Sequence, residues 1–142
     1  MRLHPLHPMS VHAPVACILF TPLADLCAHL TGNGAIWNLG ALTSTGGVAF
    51  GLIAATFGAL DFERAYAKAP RTIISHLTAM VSAVALSGVS AFGRWGEQWA
   101  VASPAPLWAI AAGAAALCAM IIGAYFGGDL VYHHGVNVRR HD

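Results

Sequence analysis

Four apolar runs divide the chain, near residues 11–30, 36–60, 72–92 and 106–132. A helix needs about 20 apolar residues to cross the hydrocarbon core of a bilayer, and each run is that long. They predict an all-α integral membrane four-helix bundle, with 1–142 as a single transmembrane domain. Breakers separate the spans: Gly32-Asn33-Gly34, the polar run 61–71 and the segment 93–106. The first run reads as a retained span rather than a cleaved leader. Only Arg2 precedes it, prolines and histidines crowd its start, and no A-x-A site follows. No close internal repeat is visible.

Composition agrees with a lipid solvent. Hydrophobic residues make up 57% of the chain and charged residues 9%, against about 25% charged in soluble domains. A net charge of +1 excludes a nucleic-acid footprint. The placement of the cations orients the bundle. Arg2, Arg64, Lys68, Arg71, Arg139 and Arg140 all fall on one side of the alternating spans, and only Arg94 lies in a loop on the other. By the positive-inside rule both termini are cytoplasmic. Trp37, Trp95, Trp99 and Trp108 gather at the opposite face, where amphipathic rings favour the headgroup region.

Cys17, Cys27 and Cys118 sit in apolar stretches without CxxC spacing and read as small packing residues. Gly47-x-x-x-Gly51 and Gly123-x-x-x-Gly127 are small-residue notches that let helices approach closely in lipid. The same notches suit a porphyrin lying flat on a helix.

Histidine is the anomaly: the chain has eight. His7 and His12 begin span one, His76 lies about one turn inside span three, and His133 and His134 end span four. Alternating spans put these three helix ends in one leaflet. His29 falls at the opposite face, and His4 and His141 fall in the tails. Ionisable side chains at membrane depth are expensive and mark function, and neutral imidazole is a common metal ligand. Three chemistries fit the cluster: a haem iron, a bare zinc or copper ion, and a proton relay. Bare zinc sites commonly recruit Cys or carboxylate, and no Cys lies at this end. A b-type haem needs one or two imidazoles, an apolar slot and cations for its propionates. Arg71, Arg139 and Arg140 stand near enough in sequence to serve the propionates, and each also satisfies the positive-inside rule. Asp61 and Asp129 are placed to accept a ring N–H from a ligating His, or to pair with Arg64 or another base. Asp25 is placed to pair with His29.

Longer motifs carry a resemblance. They are His7-Pro8-Met9-Ser10-Val11-His12-Ala13-Pro14 with Asp25, then Gly51-Leu52-Ile53-Ala54-Ala55 and Gly58-Ala59-Leu60-Asp61. Arg71 with His76 follows, and the run from Gly127-Gly128-Asp129 through Tyr132-His133-His134 to Val138 closes the pattern. Over nearly the whole chain this resembles a family of small bacterial four-helix membrane proteins labelled as a domain of unknown function. Such proteins look like di-haem b-type membrane cytochromes.

The resemblance implies that His7, His12, His76 and His134 are axial ligands of two haems b per chain. His133 stands where the family usually places Arg, and Asn137 where it places Gly. It also implies a multi-pass protein of the bacterial inner membrane that carries single electrons, a membrane oxidoreductase if the transfer is catalytic. The iron would exchange electrons with a quinone, superoxide or a soluble donor, and the Gly-rich faces admit a homodimer. The rival expectation is a small proton-coupled transporter or proton-conducting protein using a histidine relay. Against it, the ionisable groups cluster at the two faces and leave the bilayer middle to Ser and Thr.

Overall fold

A computed structural model of the chain describes residues 6–96 and 100–138. Arg2, His4, Trp99, Arg139, Arg140 and His141 lie outside the described residues. The order of elements is α1 Leu6–Ser10, α2 His12–Thr31, α3 Ile36–Lys68, α4 Pro70–Arg94 and α5 Leu107–Tyr132. Four spans in this order, Leu6–Thr31, Ile36–Lys68, Pro70–Arg94 and Leu107–Tyr132, are long and apolar enough to cross a membrane. No strand occurs among the described residues beyond one bridge, Trp95 to Val101. α1 and α2 are one span with a local turn at Val11, which keeps right-handed helical angles. Pro14 explains the turn, because it has no N–H to offer the Ser10 carbonyl.

The polar run 61–71 is not a loop, contrary to the sequence expectation. Asp61 to Lys68 continue α3, which reaches 33 residues, or about 50 Å against a hydrocarbon core of about 30 Å. Most of these residues tolerate helix well, and polarity alone does not end one. The stop comes at Ala69, whose φ of −149° and ψ of 71° obey the restriction on a residue before proline. Pro70 then opens α4 at its first position. One non-helical residue therefore joins the second and third spans.

α2 packs most extensively on α3, and α4 on α5, while α3–α4 and the smaller α2–α5 contact close the ring. These two hairpins form an internal repeat that sequence inspection missed. Shifting α2 by 69 residues carries its buried positions Pro14, Ile18, Thr21 and Asp25 onto Ala83, Ser87, Ser90 and Arg94, all buried in α4. The same shift carries Gly40, Ser44, Gly47, Gly51 and Ala54 of α3 onto Ala109, Gly113, Ala116, Met120 and Gly123, all buried in α5. The hairpins run in the same sense, so a pseudo-two-fold axis lies along the bundle.

That axis is marked by side chains. Ile18 Cγ1 and Ser87 Oγ, at corresponding positions, both approach Gly47, within 3.0 and 3.4 Å of where a Cβ would stand. Thr21 and Ser90 likewise both approach Gly113. Asp25 and Arg94 are bonded to each other: Nη1 and Nη2 donate to Oδ1 and Oδ2, each at 2.6 Å. Arg94 is 0% exposed and Asp25 5%, and Arg94 Nε also donates to Ser90 Oγ at 3.1 Å. Two sequence expectations are corrected here. Arg94 ends α4 inside the bundle rather than lying in a loop, and Asp25 pairs with it rather than with His29, which is exposed. The bare carboxylate is too costly to bury alone, and a bidentate guanidinium is its best partner.

Candidate functional site

The end of the bundle that holds the Ala69 turn also holds five of the described histidines. α5 ends there in a left-handed cap at Gly135. Gly135, at φ 60°, and Val136 return N–H groups to the Val131 and Leu130 carbonyls at 3.2 and 2.9 Å. Val136 packs with Leu130, Ala65, Ala69 and Ile73, which seats residues 133–138 on the α3–α4 turn. Lys68 Nζ donates to the Gly135 carbonyl at 2.6 Å, and Asn137 Nδ2 donates to Asp61 at 3.1 Å.

Two of the predicted ligands stand in matching surroundings. His7 Nδ1 lies 2.9 Å from the Ala54 carbonyl of α3, and His76 Nδ1 lies 2.8 Å from the Gly123 carbonyl of α5. Each ring also rests on a glycine one turn further along that helix. A Cβ on Gly58 would stand 3.0 Å from His7 Cε1, and one on Gly127 would stand 3.1 Å from His76 Cε1. A carbonyl accepts only from an N–H, so each Nδ1 carries a proton, and the neutral ring keeps its lone pair on Nε2. Both rings are partly buried. His76 is six residues into α4, about 9 Å along its axis, deeper than the sequence boundaries suggest.

The other two predicted ligands are more open. His12 is exposed, its Nδ1 3.3 Å from the Met9 carbonyl of its own chain segment. His134 lies over the start of α4, its Nε2 3.5 Å from Thr72 Oγ1 and 3.4 Å from Asp129 Oδ2. Asp129 also bonds His133 through Oδ1, so it is the carboxylate that serves the histidine pair of the C-terminal turn. Asp61 touches no histidine and pairs with Arg64 at 3.7 Å and Asn137 instead. Arg71 is exposed and lines a cleft of about 490 Å³ with Tyr66, Pro70, Ile74 and Ser75.

The glycine motifs divide between their two expected uses. Side chains of neighbouring helices fill Gly47, Gly51 and Gly123: Ile18, Val84 and Met80 come within 3.0, 2.6 and 2.8 Å of a Cβ there. Gly127 instead receives the His76 ring. Gly58, its counterpart under the 69-residue shift, was not singled out for chemistry in the sequence. The available signal was Phe57-Gly58 aligned with Phe126-Gly127 when His7 is aligned with His76.

Among the described residues no three His, Cys, Asp or Glu side chains converge as a bare-ion site requires. A haem makes a smaller demand, because the porphyrin supplies four in-plane nitrogens and asks the protein for one or two axial imidazoles. His7 and His76, with proton-bearing Nδ1 and free Nε2, fit that demand. Residues 3–140 match the family model described as "Predicted membrane protein (DUF2231)". No curated protein and no solved structure gives a match.

Proposed function

The chain belongs to the DUF2231 family of predicted membrane proteins, and from its paired imidazoles we propose that it is a b-type membrane cytochrome holding two haems and passing single electrons. The carrying observation is the twin arrangement of His7 and His76, each donating Nδ1–H to a carbonyl of the adjacent helix and presenting Nε2. An Nδ1–H bond to a carbonyl fixes the ring plane and raises the basicity of the coordinating nitrogen. Haem, when bound, supplies the one-electron iron couple, and two axial imidazoles on one iron leave no open position for oxygen.

His12 and His134 complete the ligand set at the same end, and Arg71 offers a cation there for a propionate. Asp129 Oδ2 and Thr72 Oγ1 both approach His134 Nε2, which leaves Nδ1 as the nitrogen that would ligate. Arg64, Lys68 and Arg71 lie at this end, and we place it on the cytoplasmic side of a bacterial inner membrane. A quinone, superoxide or a soluble donor would meet the haems from that side.

The histidine-relay alternative needs polar steps inward from the imidazoles. Ile18, Ala83, Ala116 and Met120 form a buried apolar cluster there instead, which favours the cytochrome.

The test is the visible spectrum of protein purified from haem-replete cells. A Soret band, sharp α and β bands after dithionite and a pyridine haemochrome approaching two haems b per chain are expected. Colourless protein overturns the reading.

A further inference from the structure

Two positions that correspond under a two-fold axis touch each other only on that axis. Asp25 and Arg94 do so at one end of the bundle. Further along the same helix stripes, Thr21 and Ser90 share Gly113, and Ile18 and Ser87 share Gly47. Continuing toward the other end, the corresponding pair is His7 and His76, related by the same 69-residue shift. Their supports correspond as well: Ala54 with Gly123, and Gly58 with Gly127. The equivalence therefore extends to the hydrogen bond that fixes each ring and to the surface on which it lies.

Resting on the cytochrome reading, we infer that His7 and His76 are the two axial ligands of one haem placed on the pseudo-two-fold axis. Each half of the chain contributes one imidazole from the helix that begins it, and each imidazole is braced by the second helix of its own half. A planar cofactor with near-equivalent faces suits such a position. Nε2 of each ring would face the iron, with the Nδ1–H groups held by backbone carbonyls, one of α3 and one of α5.

His12 and His134 belong to the other haem. Their counterparts under the shift are Val81 and Ala65, neither of which ligates iron. That site has no symmetric partner, and its imidazoles are exposed: His134 is 37% accessible, and His12 faces out. The two haems thus sit in unlike surroundings, one axial and braced, the other peripheral. Solvent exposure and hydrogen bonding to the ligand both move a haem potential, so the two are separable in a redox titration and as two low-spin signals by electron paramagnetic resonance.

The test pairs substitutions by signal. His7→Ala and His76→Ala are each expected to remove the same low-spin signal and about one haem equivalent per chain. His12→Ala and His134→Ala are expected to remove the other. Where alanine weakens the fold, His7→Gln and His76→Gln keep the side chain's bulk and its bond to the carbonyl, and repeat the comparison. Depletion of different signals by His7 and His76 variants overturns the pairing while leaving the cytochrome intact. A second measurement needs no haem. In a full-length background carrying C17A, C27A and C118A, the double variant H7C/H76C is expected to form an intramolecular link with a short bifunctional thiol reagent, whereas H12C/H76C links far less. Absence of the first link overturns the axial geometry. Haem-free wild-type protein overturns the cytochrome reading and the pairing together, and the thiol link still reports whether the two positions meet.

Discussion

Asp25 and Arg94 hold the same position in the two halves of the chain and form its most buried ion pair among the described residues. A bidentate bond between equivalent sites is indifferent, to a first approximation, to which half supplies which charge. Asp25→Arg or Arg94→Asp alone leaves two like charges in a dry core, at a cost of at least about 3–5 kcal/mol, the range for breaking a buried pair. The double variant is expected to recover much of that loss. Thermal unfolding in detergent measures it. A double variant no more stable than the singles would remove the axis from the fold.

Gly58 and Gly127 are expected to respond alike. An added methyl stands 3.0–3.1 Å from an imidazole carbon, so the ring shifts and its Nδ1–H bond lengthens, at about 1 kcal/mol for a weakened hydrogen bond. Nitrogen-15 spectra of Gly58→Ala should show His7 losing its single tautomer, and those of Gly127→Ala should show the same for His76. Gly88→Ala, where the nearest atom is Val48 Cγ2 at 3.8 Å, should stabilise by about 0.5–1 kcal/mol through helix propensity. An unchanged tautomer in both bracing-site variants would show that the glycines do not set the ring position.

On the cytochrome reading, His76→Ala and His134→Ala each lose haem, whereas His29→Ala, at the far end of α2, keeps it. Loss of one imidazole also turns part of a low-spin spectrum high-spin. Stoichiometry and spin state unchanged across all four ligand variants would dismiss the assignment.

Reporters fused after residue 66 and at the C-terminus are both expected to read cytoplasmic. Arg64, Lys68 and Arg71 flank the first position in the sequence. A periplasmic signal at either one would move the histidines to the other face.

The spans were legible because an uninterrupted apolar run has few other meanings. The expected limits 36–60 and 106–132 meet Ile36–Lys68 and Leu107–Tyr132 closely except where α3 overruns. His7 and His76 were legible as ionisable groups at membrane depth. The partner of Asp25 was not. His29 lies one helical turn away, whereas Arg94 lies 69 residues distant, and nothing local to either residue announces the other. The repeat was hidden for a related reason. Lipid-exposed positions drift freely among apolar residues, and the buried stripe keeps size and location rather than identity. Thus Ile18 corresponds to Ser87, and Gly51 to Met120. The carbonyls of Ala54 and Gly123 are backbone atoms, invisible to any reading of side chains.

The apolar cluster of Ile18, Ala83, Ala116 and Met120 separates the paired histidines from the Asp25–Arg94 end. From His7 to Ile18 is eleven residues, roughly 16 Å of helix, with Pro14 as the only intervening buried residue of α2. Ser87 stands level with Ile18 on α4, and the first buried hydroxyl of α2 beyond Ile18 is Thr21, one turn before Asp25. The buried interior therefore keeps its charge at one end, with imidazoles at the other and an apolar layer between.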